Sequence, residues 1–247
     1  MRVSGLTHWL ASPQGRYVLD WELRKTEQVI ADVFGYYALQ IGVPQRDFLA
    51  TSRITSRHHL SDFALAEGCS PRLYCQADAL PIASSSVDLV VLPHVLEFHP
   101  YPHQVLREVE RILIPEGQVV ILGFNPFSLW GMYQRLPWTE RNGFPWDGNY
   151  LSVARLKDWL SLLGFAIDRG AFGCYAPPVQ QEKWLQRWQC LELAGDRWWG
   201  FASNVYLLRA IKRVHGMHLM TPSWLQANKN KAKSKTLVPV ARQERDN

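Results

Sequence analysis

The order of apolar segments predicts an α/β fold, a mostly parallel sheet with helices on both faces. Val87–Leu92 and Gln118–Leu122 are almost wholly apolar, as strands covered on both sides are. Between them, within Pro102–Leu113, Val105, Leu106, Val109, Ile112 and Leu113 recur at the spacing of an amphipathic helix. A strand, a crossover helix and a second strand make a right-handed parallel unit.

The remaining elements follow in order. Ser12-Pro13 supplies an N-cap and a proline at the first helical position. Tyr17, Val18, Trp21, Val29, Ile30, Val33 and Phe34 then recur mostly at helical spacing, which predicts a long N-terminal helix. Tyr37–Ile41 is a short apolar run closed by Gly42, and a second strand is expected near Arg57–Leu60. Pro115-Glu116-Gly117 is expected to end the crossover helix. Ser152 caps a helix that carries Leu156, Trp159, Leu160 and Leu163 on one face, with Gly164 at its C-terminal end. Phe165–Asp168 and Asn204–Ala210 are expected to be two further strands.

The chain has 247 residues, 47% of them apolar and 20% charged, which excludes a disordered or collagen-like chain. No apolar run approaches the roughly 20 residues of a membrane-spanning helix. Thr7 and His8 interrupt the N-terminal apolar run before a signal-peptide core forms, so a cytoplasmic location is expected. Cys69, Cys75, Cys174 and Cys190 form no C-x-x-C pair, and free thiols are expected. Most of the net charge of +5 sits in the last 22 residues, where six basic residues face two acidic ones. That tail is read either as a solubilising terminus, the favoured reading, or as an attachment to RNA or an anionic membrane.

Ligands of open α/β sheets bind outside the carboxyl ends of the strands, where strand order reverses. Gly42 and Pro93-His94 are expected to face one such crevice. The residues around it resemble a known family. Asp78-Ala79-Leu80-Pro81, Ser86-Val87-Asp88-Leu89-Val90-Val91, His94-Val95-Leu96-Glu97 and Leu106-Arg107-Glu108-Val109-Glu110-Arg111-Ile112-Leu113-Ile114-Pro115-Glu116-Gly117 resemble the type 11 group of class I methyltransferases that use S-adenosylmethionine. Lys157-Asp158-Trp159-Leu160 through Gly164-Phe165 resembles that family's late helix-to-strand junction.

The resemblance implies a single Rossmann-like methyltransferase domain with a C-terminal antiparallel strand. It suggests an N-terminal helical cap over residues 1–35, the domain proper over 36–220, insertions at about 126–151 and 173–200, and a basic disordered tail over 221–247. By its motifs, Gln40, Gly42, Asp62, Asp78, Ala79, Leu80, Pro93 and His94 would line the site of S-adenosylmethionine, with Asp62 toward the ribose and Asp78 and Ala79 toward the adenine. The first motif departs from the family. Its carboxylate and two later glycines are replaced by Gln40, Pro44 and Arg46 in Gln40-Ile41-Gly42-Val43-Pro44-Gln45-Arg46-Asp47, and the helix after it is compressed to Asp47–Arg53. Proline donates no N–H, and a side chain at position 46 obstructs close approach. Two readings follow: an active methyltransferase with a divergent turn, or a fold retained without the chemistry.

Methyl transfer from a sulfonium needs alignment and exclusion of water more than it needs a catalyst. Where the acceptor loses a proton, His94 is the candidate base; alternatively it is a helix-entry residue. Glu97 is read as solvated or capping. His94, His99 and His103 are separated by prolines and joined by no cysteine or paired carboxylate, so no metal is expected. Asn125 either orients an acceptor or forms an Asx turn. Of the chain's 11 tryptophans, Trp138 and Trp146 lie in turn-rich sequence as candidate walls of a pocket for a small apolar or aromatic acceptor.

Overall fold

The computed structural model describes residues 3–61, 73–128, 130–131, 148–176 and 203–214. These carry α1 (Val3–Leu10), α2 (Pro13–Ile30), β1 (Tyr37–Ile41), β2 (Ser56–Ser61), β3 (Leu73–Tyr74) and β4 (Val87–Pro93). Then come α3 (Val95–Phe98), α4 (Pro102–Ile112), β5 (Leu113–Phe124), α5 (Val153–Leu162), β6 (Phe165–Gly173) and β7 (Val205–Lys212). The strands form one seven-stranded sheet in the order β3-β2-β1-β4-β5-β7-β6. Pairing is parallel from β3 to β5, and β7 runs antiparallel to both its neighbours.

Alternation along the central strands feeds two cores. Ala38, Leu89, Val91, Val120 and Leu122 point to the face covered by α1 and α2, where Val18, Trp21 and Ile30 meet them. Leu39, Val90, Leu92, Val119 and Ile121 point to the other face, against Val105, Leu106, Val109 and Ile112 of α4 and Leu156 and Leu160 of α5. The N-cap reading holds, since the Ser12 Oγ accepts from the Gly15 N–H at 3.1 Å. Glycine is required at position 173 for a packing reason: a Cβ there would run into the indole ring of Trp21. Gly173→Ala is expected to cost about 1–3 kcal/mol, the usual penalty of overpacking, read from the midpoint of urea unfolding.

Several expectations are corrected. The N-terminal helix stops at Ile30, leaving Val33 buried and Phe34 exposed outside it, and a separate helix, α1, precedes it. No helix forms over Asp47–Arg53; β1 and β2 are joined by consecutive turns. The segment Pro115-Glu116-Gly117 lies inside β5 rather than after α4. There β4 pairs first at Leu113 and resumes at Gln118, and Glu116 takes a φ of 65°. The two-residue β3 was unforeseen because its pairing, not its composition, makes it a strand. The expected insertions at 126–151 and 173–200 lie largely outside the described residues, and the tail at 221–247 lies wholly outside them. No described helix is long and apolar enough to cross a membrane.

Candidate functional site

Strand order reverses between β1 and β4, whose carboxyl ends place Gly42 beside Pro93 and His94. Gly42 has a φ of 88°, in the region that favours glycine. A Cβ at this position would lie 2.7 Å from the Val95 Cγ2 and 3.2 Å from the Pro93 carbonyl oxygen. The turn after β1 therefore rests directly on the segment after β4.

Gln40 fixes that turn from within. Its Nε2 donates toward the carbonyl oxygens of Gly42, Val43 and Arg46 at 3.3, 3.2 and 2.7 Å. Its Oε1 accepts from the Phe48 N–H at 2.8 Å. The residue is 1% exposed. A carboxylate here would face three carbonyl oxygens, so the glutamine side chain is what this turn needs. Pro44 is buried beside it and Arg46 is exposed.

His94 is at the end of β4, in a left-handed conformation with a φ of 54°. Its Nε2 meets Glu22 Oε1 of α2 at 2.7 Å, and its Nδ1 meets Glu97 Oε2 of α3 at 2.9 Å. All three side chains are essentially buried. Burial alone would depress the imidazole pKa, but the two carboxylates outweigh it and push it up to about 10. Burial raises the Glu97 carboxyl, with His94 opposing. Glu97 Oε1 also accepts from the Phe124 N–H, and the His94 ring stacks on Phe124 with centroids 4.2 Å apart.

Two expectations change here. Glu97 is a buried partner of His94, not a solvated cap. His94 is buried with both ring nitrogens engaged by carboxylates, and those carboxylates hold it toward the charged form. Glu22 was missed because nothing in a helical pattern distinguishes a buried carboxylate from the solvated ones around it.

On the other side of the crevice, Asp78 follows β3 with its side chain partly exposed and its Oδ1 3.9 Å from His99 Nε2. The Ala79 N–H closes a turn on the Gln76 carbonyl at 3.2 Å. The Leu80 N–H donates to Glu108 Oε2 at 3.2 Å. Arg111 donates to the carbonyls of Leu80 and Ile82 at 3.0 and 2.9 Å. A hydrogen bond from Arg111 holds the Glu108 carboxyl below its usual range. This pair on α4 staples the loop that carries Asp78 and Ala79, a role the arginine-rich motif contained but its spacing did not reveal. Asp62 lies outside the described residues.

Asn125 makes the Asx turn: its Oδ1 accepts from the Phe127 N–H at 3.1 Å, and its Nδ2 donates to the Ser203 carbonyl at 3.0 Å. Both ends of the amide are used within the chain, which speaks against a role in orienting an acceptor. Trp138 and Trp146 lie outside the described residues. An aromatic cluster is nevertheless present beyond β5, where Phe124 meets Trp9 and Tyr150 edge-on at 5.5 and 5.8 Å, and Trp130 meets Trp9 at 5.8 Å. His103 lies against Trp159 at 3.6 Å, far in function from His94. Among the described residues no group of three or more potential ligands could hold a metal ion. A cavity of about 650 Å³ is lined by Tyr37, Leu39, His58, Leu60, Pro81 and Ile82, from β1, β2 and the loop after β3.

The family model of the type 11 methyltransferase domain matches residues 54–121, from just before β2 into β5. The chain is 31% identical over 159 residues to the uncharacterized protein YafS of Escherichia coli strain K12. That alignment covers 64% of this chain and 65% of the relative, slightly under two thirds of its length. Among solved structures, an S-adenosylmethionine-dependent methyltransferase of Thermotoga maritima superposes with a TM-score of 0.60 at 16% identity, over 83% of this chain and 93% of the other. One from Archaeoglobus fulgidus superposes with a TM-score of 0.55 at 18% identity, over 80% and 94%. The class I fold and the type 11 resemblance read from the sequence are borne out. The match begins at Ile54, after the turn in which the first motif departs.

Proposed function

We propose that this chain, a class I methyltransferase fold with a type 11 domain match, is an S-adenosylmethionine-dependent methyltransferase acting on a small apolar or aromatic acceptor. The observation that carries this reading is where the family match falls. It spans the strands whose carboxyl ends present Asp78, Ala79 and Leu80 on one side and Pro93 and His94 on the other, at the switch point where such folds take ligands. The residues suit an adenine there: a partly exposed carboxylate and a loop held rigid by Glu108 and Arg111. They do not suit an amino-acid group at the β1 turn, where the expected carboxylate is an amide spent on its own backbone.

The bound donor supplies an activated methyl carbon, which leaves the protein to orient the acceptor and exclude water. Phe124 and Trp130 are buried in the core, so the apolar acceptor rests on Trp138 and Trp146 in their turn-rich sequence. With His94 held toward the charged form, the reading favours an acceptor atom with a free lone pair, such as an amine or a thiolate, over one that must first lose a proton to a base. The Gln40 turn favours a second reading, the fold retained as a binding module without methyl transfer.

Calorimetric titration with S-adenosylmethionine and S-adenosylhomocysteine separates the two. Saturable heat below millimolar ligand is the expected result. A flat trace at millimolar concentration of both assigns the chain to the second reading. Titration of RNA into the full chain and into a chain ending at Thr221 tests the tail, and salt-insensitive, tail-independent behaviour removes the nucleic-acid role.

A further inference from the structure

We infer that the crevice takes adenine nucleosides without gripping an amino-acid arm, so that nucleosides differing only in that arm bind alike. The inference rests on reading the crevice as a nucleoside site and concerns which nucleosides it accepts. An ammonium group entering a protein needs an anion or several carbonyl oxygens to replace its water. Among the described residues the turn after β1 offers no buried anion; its one carboxylate, Asp47, is half exposed to solvent. Gln40, at the position of the resembled family's carboxylate, is neutral, buried and bonded to Gly42, Val43, Arg46 and Phe48.

The buried carboxylates nearby are committed, and Asp47 is held at its Oδ1. Asp47 accepts from the Leu49 N–H at 2.8 Å and faces His59 at 3.6 Å, while Glu22 and Glu97 are spent on His94. What the described residues leave buried at the switch point is hydrocarbon, the Val95 side chain against Gly42 and the buried Val43 and Pro44. A zwitterionic arm would lose water there without gaining a partner. An uncharged 5′ substituent suits the same surface. The adenine end is untouched by this change, because Asp78 and Ala79 sit on a separate loop held by α4.

The test compares two ligands on the unaltered full chain by calorimetry: 5′-methylthioadenosine, which lacks the arm, and S-adenosylhomocysteine, which carries it. Dissociation constants within about threefold of each other, or tighter binding of 5′-methylthioadenosine, are expected. A charge-assisted hydrogen bond to the ammonium would favour S-adenosylhomocysteine by about tenfold or more, and that outcome overturns the inference while leaving the nucleoside reading intact. Failure of both ligands to bind at millimolar concentration overturns the nucleoside reading and the inference with it. Asp78→Asn is expected to weaken both ligands by about tenfold and by the same factor; a loss for S-adenosylhomocysteine alone would also overturn the inference.

Discussion

His94→Leu is expected to destabilise the chain by about 3–5 kcal/mol, the usual cost of leaving a buried charge without its partner. Removing the ring strands two carboxylates, Glu22 on α2 and Glu97 on α3, that are buried and separated from solvent. Among the described residues Glu22 Oε2 has no hydrogen-bond partner, so losing the ring removes the contact at Oε1 that holds this carboxylate. The pH dependence has a definite sign. In the native chain the folded pKa of His94, about 10, lies above its ordinary 6.5. Its stabilising contribution is therefore complete below about pH 6.5 and is lost as pH rises toward 10. In the variant Glu97, whose carboxyl burial raises, loses the opposing imidazole, so the variant's deficit shrinks as pH falls and that carboxyl takes up a proton. Urea unfolding at pH 5, 7 and 9 checks both. A deficit under about 1 kcal/mol with an unchanged pH profile would mean that the ring carries no charge in the folded state.

Gln40→Glu is expected to cost about 2–4 kcal/mol at neutral pH, since a buried carboxylate loses its hydrogen bonds and faces like partial charges. The substitution preserves shape but sets an anionic oxygen where Nε2 now donates to the carbonyls of Gly42, Val43 and Arg46. Those carbonyls accept only from the protonated acid, which raises its folded pKa. The penalty is thus present above the ordinary glutamate pKa and is relieved as pH falls. Thermal unfolding at pH 4.5 and 7.5 reads this as a gap between variant and native chain that narrows in acid. An equal gap at both values would show that the amide's N–H groups do not hold the turn.

Strands Val87–Pro93 and Leu113–Phe124 and the helix between them were legible in the sequence because burial on both faces leaves an apolar run and burial on one face leaves a helical period. The caps at Ser12 and Ser152 were legible because capping is local. What escaped notice depends on contacts distant in sequence. Two-residue β3 exists through its pairing with β2, and the bulge at Pro115-Glu116-Gly117 reads as a turn until β4 is set beside it.

The site divided in the same way. Gln40 and Gly42 were located by position in the motif, but the four hydrogen bonds that make Gln40 a brace inside its turn belong to the folded backbone. His94 invited the role of base because a histidine near a crevice titrates usefully. Glu22, 72 residues earlier in the chain, changes that role, and no local pattern announces it.

The central claim is that a nucleoside lodges at the switch point between β1 and β4, held from the β3–β4 loop. Amide chemical shifts of the labelled chain, followed while 5′-methylthioadenosine is added, test it most directly. The account predicts saturable shifts at Ala77, Asp78, Ala79 and Leu80, with smaller ones at Gly42 and Val95. Shifts confined to Tyr37, Leu39 and His58, which line the cavity of about 650 Å³, would contradict it, as would no shifts at millimolar ligand.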